Sequence, residues 1–353
     1  MNHGTLLPVA LVSINILASV TVQAHHSPNL HFDRSNIIEI TGRLTDIDWQ
    51  NPHTQFTVTT SAEDGSIAIW LIEGRGASQF TRARVTADFF ETGSNISFAG
   101  FRGRRNRTAM FATNILLANG QELVVDSFTT PRWSADTALL LSASSQKGTA
   151  KNAPLNPKDI FRVWSPDRSD HGIDGTGRTL WLDNYPLTEF AQTTQSNWDP
   201  VNDNPYINCQ NGMPAMMDLA TPIEFVQDGD NIVLYLEEQD AVRHIRMTPQ
   251  SSNEDEAASP YGQSVGRWDS STLEVTTTKI DWPWFDQAGI PQTAQLQLVE
   301  RFTPSADGLV LRYQLTATDL AVFTEIVLLN RAWVWDPTEK LRPYNCVWDR
   351  SDL

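Results

Sequence analysis

The chain contains 353 residues, 40% of them hydrophobic, and 42 Asp and Glu outnumber 26 Lys and Arg to give a formal net charge of −16 at pH 7. This length is enough for two ordinary domains, and the composition is that of a globular protein, which excludes a disordered or fibrous chain. An acidic surface repels phosphate backbones and anionic lipid headgroups. We therefore expect no nucleic-acid partner, and the sequence leaves the oligomeric state open.

The first 24 residues have the pattern of a secretory signal peptide. An apolar run extends over Leu6–Val20, and Val22 and Ala24 place small residues at the two positions that a signal peptidase reads. Residues 1–24 contain no Lys or Arg, so this segment departs from the usual positively charged start. We expect cleavage after Ala24, a periplasmic or secreted mature protein, and no membrane-spanning segment after cleavage.

Residues 25–133 read as short β-strands separated by turn residues, which predicts a small closed barrel of the oligonucleotide-binding (OB) type. The predicted strands lie at Ile38–Leu44, Phe56–Thr59, Ile67–Ile72, Asn95–Phe101, Ala109–Leu117 and Glu122–Val125. A helix-like stretch, Gly76–Thr86, is expected to plug this barrel.

Residues 134–183 are rich in Ser, Lys, Asn, Pro, Gly and Asp, which predicts a linker. A second β series then predicts an antiparallel domain over residues 184–353, either a lipocalin-like barrel or a sandwich. Its strands are expected at Pro222–Gln227, Ile232–Glu237, Val242–Met247, Thr272–Thr278, Gln295–Phe302, Leu309–Thr316 and Glu325–Trp335. Because strands and helices do not alternate, a doubly wound fold is excluded and the whole protein is predicted to be all-β.

The chain has two cysteines, Cys209 and Cys346, and an isolated pair in an exported protein predicts a disulfide. Such a bridge would close a loop over most of the C-terminal half, worth roughly 4 kcal/mol in the chain-entropy model. The alternative is a catalytic cysteine, for which His244 is the histidine that this half offers.

Three histidines form a candidate metal site near the mature N-terminus. Cleavage after Ala24 would make His25 the first residue, whose amine and imidazole chelate one metal together; His26 follows directly, and His53 ends the turn-forming segment Trp49–His53. Nitrogen ligands of this kind favour copper, with zinc as the second choice. The alternative interpretation is an exposed chain terminus and a turn in which His53 has a local role.

Strand periodicity places three charged residues on apolar faces of the C-terminal domain. Arg243 shares a face with Ile245 and Met247, and Glu300 lies among leucines and Phe302 in the same alternation. Arg331 follows the same pattern. Buried charges must pair with each other or contact a polar ligand. The first alternative is an internal salt bridge between Glu300 and one of the two arginines, and the second is a catalytic cavity. In the second case the protein is a lyase or isomerase, with Glu300 as base and the arginines stabilising negative charge.

The leading prediction is a small-molecule-binding protein with its cavity in the C-terminal domain, because the sequence contains no recognised nucleophile or cofactor motif. Three tryptophans are predicted to line that cavity. Trp333 shares the face of Arg331, Trp284 lies in an aromatic loop that either covers a pocket or packs locally, and Trp268 follows two glycines. Gly262, Ser264 and Gly266 have the spacing of a nucleophile elbow, but a β run follows where an elbow needs a helix, so a turn into a strand is expected. The expected ligand is apolar or carboxylated.

Several segments resemble a large group of exported, uncharacterised bacterial proteins. The N-terminal resemblance rests on Ala24–Ser27, Gly42–Leu44 and Trp49–His53. The second half is similar to longer members at Gly212–Pro214, Glu238–Arg243, Gly262–Trp268, Thr272–Val275 and Glu300–Phe302. The resemblance implies export and a two-domain plan, and it carries no activity. Ser270 and Ser271 depart from the small acidic turn expected there.

Overall fold

The structure is a computed structural model. It describes residues 32–62, 64–125, 129–134, 136–141, 160–166, 184–199, 202–218, 221–248, 257–344 and 346. The predicted signal peptide, His25 and His26 lie outside the described residues, as does most of the predicted linker.

The N-terminal part forms one sheet in the order β3-β2-β1-β4-β5-β6-β7, and a parallel pairing of β3 with β5 closes the first five strands into a ring. The bounds are β1 Phe32–Asp48, β2 Gln55–Ser61, β3 Ile67–Glu73, β4 Asn95–Gly103, β5 Ala109–Leu116, β6 Glu122–Val124 and β7 Leu139–Leu140. The predicted OB-like barrel is confirmed, and each predicted strand overlaps an observed one.

Apolar side chains at alternate positions of these strands form the N-terminal core. The helix Ala77–Arg82 lies where the plug was expected, and Phe80 packs edge-on against Phe56 with ring centroids 6.4 Å apart. Phe56 also contacts Phe98 at 5.3 Å, and all three rings are fully buried. The helix therefore fills one end of the ring with aromatic surface, as small closed barrels require.

The C-terminal part is a closed barrel of nine strands in the order β10-β11-β12-β13-β14-β15-β16-β8-β9. The bounds are β8 Val163–Pro166, β9 Ile223–Asp228, β10 Asn231–Leu236, β11 Ala241–Arg246, β12 Gln263–Asp269, β13 Thr272–Thr278, β14 Gln297–Pro304, β15 Val310–Thr318 and β16 Val327–Val334. The alternative of a sandwich is thereby excluded. Neighbouring strands are antiparallel except β11 and β12, which are parallel.

Two strands come from the segment that the sequence analysis assigned to a linker. β8 pairs with β16 on one side and β9 on the other, so it closes the C-terminal barrel. β7 pairs with β6 in the N-terminal sheet. Short strands within a polar segment carry little periodicity, and tertiary pairing alone determines them.

The remaining described helices are short. They are the α-helix Glu189–Asn197 and the 3₁₀ turns Ala87–Phe89, Pro205–Asn208, Ala215–Asp218 and Glu238–Asp240. The predicted disulfide between Cys209 and Cys346 is present and joins the segment between β8 and β9 to the C-terminal segment. Among the described residues, no helix has the length and apolar character to cross a membrane.

Candidate functional site

Arg243 and Glu300 meet inside the C-terminal barrel. Arg243 projects inward from β11 and Glu300 from β14, and their side chains are 1% and 0% exposed. Arg243 donates from Nη1 to Glu300 Oε1 at 2.9 Å and from Nη2 to Oε2, so the contact is bidentate. Of the two alternatives for these residues, the internal salt bridge is the arrangement present in the structure.

Neighbouring polar groups complete a closed network around this pair. Arg243 Nε donates to Ser264 Oγ at 3.0 Å, and its Nη2 donates to Thr277 Oγ1 at 2.6 Å. The Tyr313 hydroxyl donates to Glu300 Oε1 at 3.0 Å. Burial lowers the pKa of Arg243, but the adjacent carboxylate more than compensates, so the net pKa is raised. The nitrogens of Arg243 and both carboxylate oxygens of Glu300 thus have hydrogen-bond partners within the protein. Such a satisfied ion pair is typical of a structural role rather than of a reactive centre.

Ser264 has no geometry of a nucleophile. It lies within β12, where the sequence predicted a turn that leads into a strand, and it is 3% exposed. Its hydroxyl accepts from Arg243 and contacts Thr277 Oγ1 at 3.0 Å. The serine is therefore part of the charge network.

Arg331 and Trp333 lie on the inward face of β16, as predicted, but they serve other contacts. Arg331 pairs with Asp218 rather than with Glu300, and both side chains are buried. Trp333 is 2% exposed, packs against Tyr313 with centroids 5.7 Å apart, and donates from Nε1 to the Thr221 carbonyl at 3.2 Å. Both residues are parts of the filled barrel interior.

A pocket of about 410 Å³ opens at one end of this barrel. We call it the mouth pocket, and its walls are Phe161, Gln227, Asp230, Asn231, Ile232, Met247, Arg267 and Trp268. Ser264, Gly266 and Trp268 alternate along β12 and so share a face. Because Ser264 touches Arg243 in the interior, Trp268 stands on the interior face where the barrel opens.

The mouth pocket combines an aromatic and aliphatic floor with a polar rim. Phe161 meets Trp268 edge-on at 6.3 Å, and Trp268 is 44% exposed, an unusual state for an indole on an inward face. Gly266 lies directly below, where a Cβ atom would be 2.6 Å from Met247 Sδ. Because Gly266 has no side chain, Met247 can pack against it at the base of the pocket. Arg267 on the rim donates to Glu274 at 2.8 Å.

The remaining predicted site residues lie elsewhere. Trp284 is half-buried in its loop, stacks edge-on against Trp198 at 6.3 Å and donates to the Asp203 carbonyl at 2.9 Å, so it packs locally. His53 Nδ1 is 2.9 Å from Glu73 Oε2. Within the described part of the chain, no group of three or more His, Cys, Asp or Glu side chains is arranged to hold a metal.

Sequence reasoning missed Phe161, which lies in the predicted linker, and Ile232 as pocket residues. The strand periodicity placed Met247 on the same inward face as Arg243 and Ile245, which is correct. This periodicity was the one feature of the sequence that indicated that the inward face continues to the end of the barrel. The network partners Thr277 and Tyr313 were missed because nothing in their own strands marks them as polar ligands of a charge on another strand.

Comparison with known proteins adds one match. Residues 13–111 match a family of unknown function (DUF6152). This match supports the resemblance to an uncharacterised group over the N-terminal part of the chain. No curated protein matches the sequence.

Proposed function

We propose that this protein binds a small molecule in the mouth pocket of its C-terminal barrel. The main evidence is the exposure of Trp268. This large aromatic side chain is 44% exposed although it lies on the interior face of a barrel whose deeper space is filled by side chains. Barrel mouths with an apolar floor and a few polar groups are common ligand sites, and about 410 Å³ lies in the usual volume range.

The walls favour a ligand with an apolar body and one polar or anionic group. A ring or short chain would lie against Phe161, Ile232, Met247 and Trp268, which supply aromatic and aliphatic contacts. The polar group would then face the rim, where Arg267 and two amide side chains offer N–H donors. An apolar or carboxylated ligand therefore fits this pocket.

This proposal leaves Arg243 and Glu300 a structural role and separates the ligand from them. Gly266, Ile245 and Val275 form the layer between the mouth pocket and the charge network, since Gly266 pairs with Val275 across β12 and β13. A substrate in the mouth pocket would meet this layer before it met the carboxylate of Glu300. The lyase or isomerase alternative is accordingly the weaker one.

Export is part of the same proposal. The Cys209–Cys346 disulfide supports it, because such bridges persist in oxidising compartments and are rare in the reducing cytosol. Intact-mass measurement of the protein recovered from the periplasm or medium would test it, with a mature chain that begins at His25 as the expected result.

Binding is tested by titration with anilinonaphthalene sulfonate, a fluorescent probe that has an apolar body and one anionic group. We expect saturable binding of one probe per chain, weakened at least about tenfold in Trp268→Ala, which is about 1.4 kcal/mol of lost binding free energy. Trp284→Ala is the matched control, because that indole is also partly exposed but does not line the mouth pocket. Equal affinity in wild type and Trp268→Ala would contradict the proposal.

A further inference from the structure

A second, smaller pocket of about 140 Å³ lies where the two barrels meet. We call it the junction pocket, and its walls are Asn51, Pro52, His53, Arg75, Gly76, Ser78, Gln79, Thr221, Glu237, Glu238 and Tyr344. It is separate from the mouth pocket, because Thr221 and Glu237 flank β9 and β10 at the end opposite their connecting turn. Strands of this length separate the two pockets by roughly 20 Å.

The N-terminal wall of the junction pocket is held rigidly. Asn51 donates from Nδ2 to Ser78 Oγ at 2.9 Å and accepts from the Ser78 backbone N–H at 3.1 Å. A Cβ atom on Gly76 would lie 2.6 Å from the Pro52 carbonyl oxygen, so only glycine allows this approach. The segment Trp49–His53, singled out in the sequence for its histidine, is thereby fixed against the start of the plug helix.

The C-terminal wall is a strap formed by the end of the chain. Tyr344 donates from its hydroxyl to Glu238 Oε1 at 2.8 Å and from its backbone to Asp240 Oδ1 at 3.0 Å. The backbone N–H of Arg342 donates to Glu237 Oε2 at 3.0 Å. The disulfide at Cys346 follows directly, so the strap is fastened beside the pocket.

Two polar atoms of the pocket walls have no partner. Gln79 Oε1 and Thr221 Oγ1 are buried side-chain oxygens without a hydrogen bond in the structure. A buried polar atom left unsatisfied costs about 1–3 kcal/mol, so two such atoms that line one pocket favour a bound molecule that donates hydrogen bonds to them. One oxygen comes from each barrel, and both belong to the same pocket.

We propose that the junction pocket binds a polyol of three or four carbons. Hydroxyl groups of this molecule would donate hydrogen bonds to Gln79 Oε1 and Thr221 Oγ1. The wall carboxylates of Glu237 and Glu238 already accept from the Arg342 backbone N–H and the Tyr344 hydroxyl, whereas the two unpartnered atoms are neutral oxygens. Hydroxyl groups both donate and accept, which suits a pocket lined by an amide oxygen and a threonine hydroxyl. The volume is comparable to that of about five liquid waters at roughly 30 Å³ each, which suits a polyol of three or four carbons.

Saturation-transfer NMR with glycerol and erythritol as probes tests this proposal. We expect transfer to at least one probe with the wild-type protein, and at least about a fivefold smaller signal with Thr221→Val or Gln79→Leu. Both substitutions remove an atom that has no protein partner, so neither variant is expected to unfold.

Thr54→Val is the matched control. Thr54 Oγ1 is also a buried oxygen without a partner, but Thr54 does not line the junction pocket. Its variant should keep the wild-type signal and a similar melting temperature. Absence of transfer to both probes in the wild type, or equal signals in the pocket variants and wild type, would show that the pocket holds water only. Either result leaves the probe titration at the mouth pocket unaffected.

Discussion

The two barrels of this protein fill their interiors by different means. The ring of five strands in the N-terminal part is packed with apolar side chains, among them Phe56, Phe80 and Phe98, and a helix supplies part of that core. The nine-stranded barrel has a large apolar cluster too, but its middle holds the Arg243–Glu300 pair and the Tyr313 hydroxyl.

Strand number explains the difference. Barrel diameter grows with the number of strands, so a ring of five is closed by ordinary hydrophobic residues, whereas a barrel of nine leaves a wider space that long side chains must span. Arg243 and Glu300 cross that space from β11 and β14 and tie the two walls together. A buried ion pair contributes little net stability compared with apolar packing, but loss of one partner is costly. The large barrel is therefore the more sensitive of the two to a single polar change.

The largest effect is expected for Glu300→Gln, which keeps the size of the side chain and removes its charge. Arg243 would stay buried without a counterion, so the free energy of unfolding should fall by about 3–5 kcal/mol. Urea denaturation followed by circular dichroism measures this change. A loss below about 1 kcal/mol would show that water reaches the Arg243–Glu300 pair. The nine-stranded barrel would then not be the more sensitive of the two to a single polar change.

Glu274→Gln is the control for that variant. Glu274 pairs with Arg267 and Arg301 on the outside of the same barrel, and these arginine side chains are 69% and 38% exposed. Solvent screens such pairs, so the same chemical change should cost about 1 kcal/mol or less.

Buried carboxyl groups of the two parts should respond to pH in opposite directions. Burial, and then the charge of Glu237, raise the pKa of Glu238 in the C-terminal part to about 7. Burial also opposes ionisation of Glu122 in β6, but the backbone N–H groups of Arg132, Trp133 and Ser134 together with Asn114 bring the pKa of Glu122 below its usual value.

A raised pKa in the folded state means that stability is fully present below the ordinary carboxyl pKa and is lost as pH rises through about 7. The contribution of Glu238 should therefore decline between about pH 4.5 and 7, by up to about 3 kcal/mol. The contribution of Glu122 runs the other way and is lost as pH falls through its lowered pKa. Denaturant titrations at pH 5 and 8 on wild type and Glu238→Gln measure the first effect. An identical pH dependence in both proteins would contradict it.

Among the substitutions of buried residues, the smallest effect is expected for Phe98→Leu in the N-terminal core. Phe98 is fully buried against Phe56, and the change exchanges one apolar side chain for a somewhat smaller one, so we expect a loss of about 1.5 kcal/mol. Thermal unfolding monitored by tryptophan fluorescence measures it. If the free energy of unfolding fell as much as in Glu300→Gln, the nine-stranded barrel would not be the more sensitive of the two.

Local pattern determined much of the fold. Alternation along single strands placed Ile245 and Arg243 on one inward face and Leu298 and Glu300 on another, and burial confirms both assignments. The pairing of Cys209 with Cys346 was predicted from the presence of two cysteines together with the expected export. Period-two alternation is a property of neighbouring residues, which is why it can be read without knowing the tertiary structure.

The sequence by itself therefore determined the all-β class, most of the strand positions, the inward direction of the buried charges and the cysteine pair. Tertiary structure alone decided that Arg243 takes Glu300 while Arg331 takes Asp218, that β8 closes the large barrel, and that Trp268 is left open at its mouth while Trp333 is sealed inside. It also brought Gln79 and Thr221 to one pocket. The physical reason is that these relations join residues far apart in the chain, whose distance is set by strand number and barrel closure rather than by any local preference.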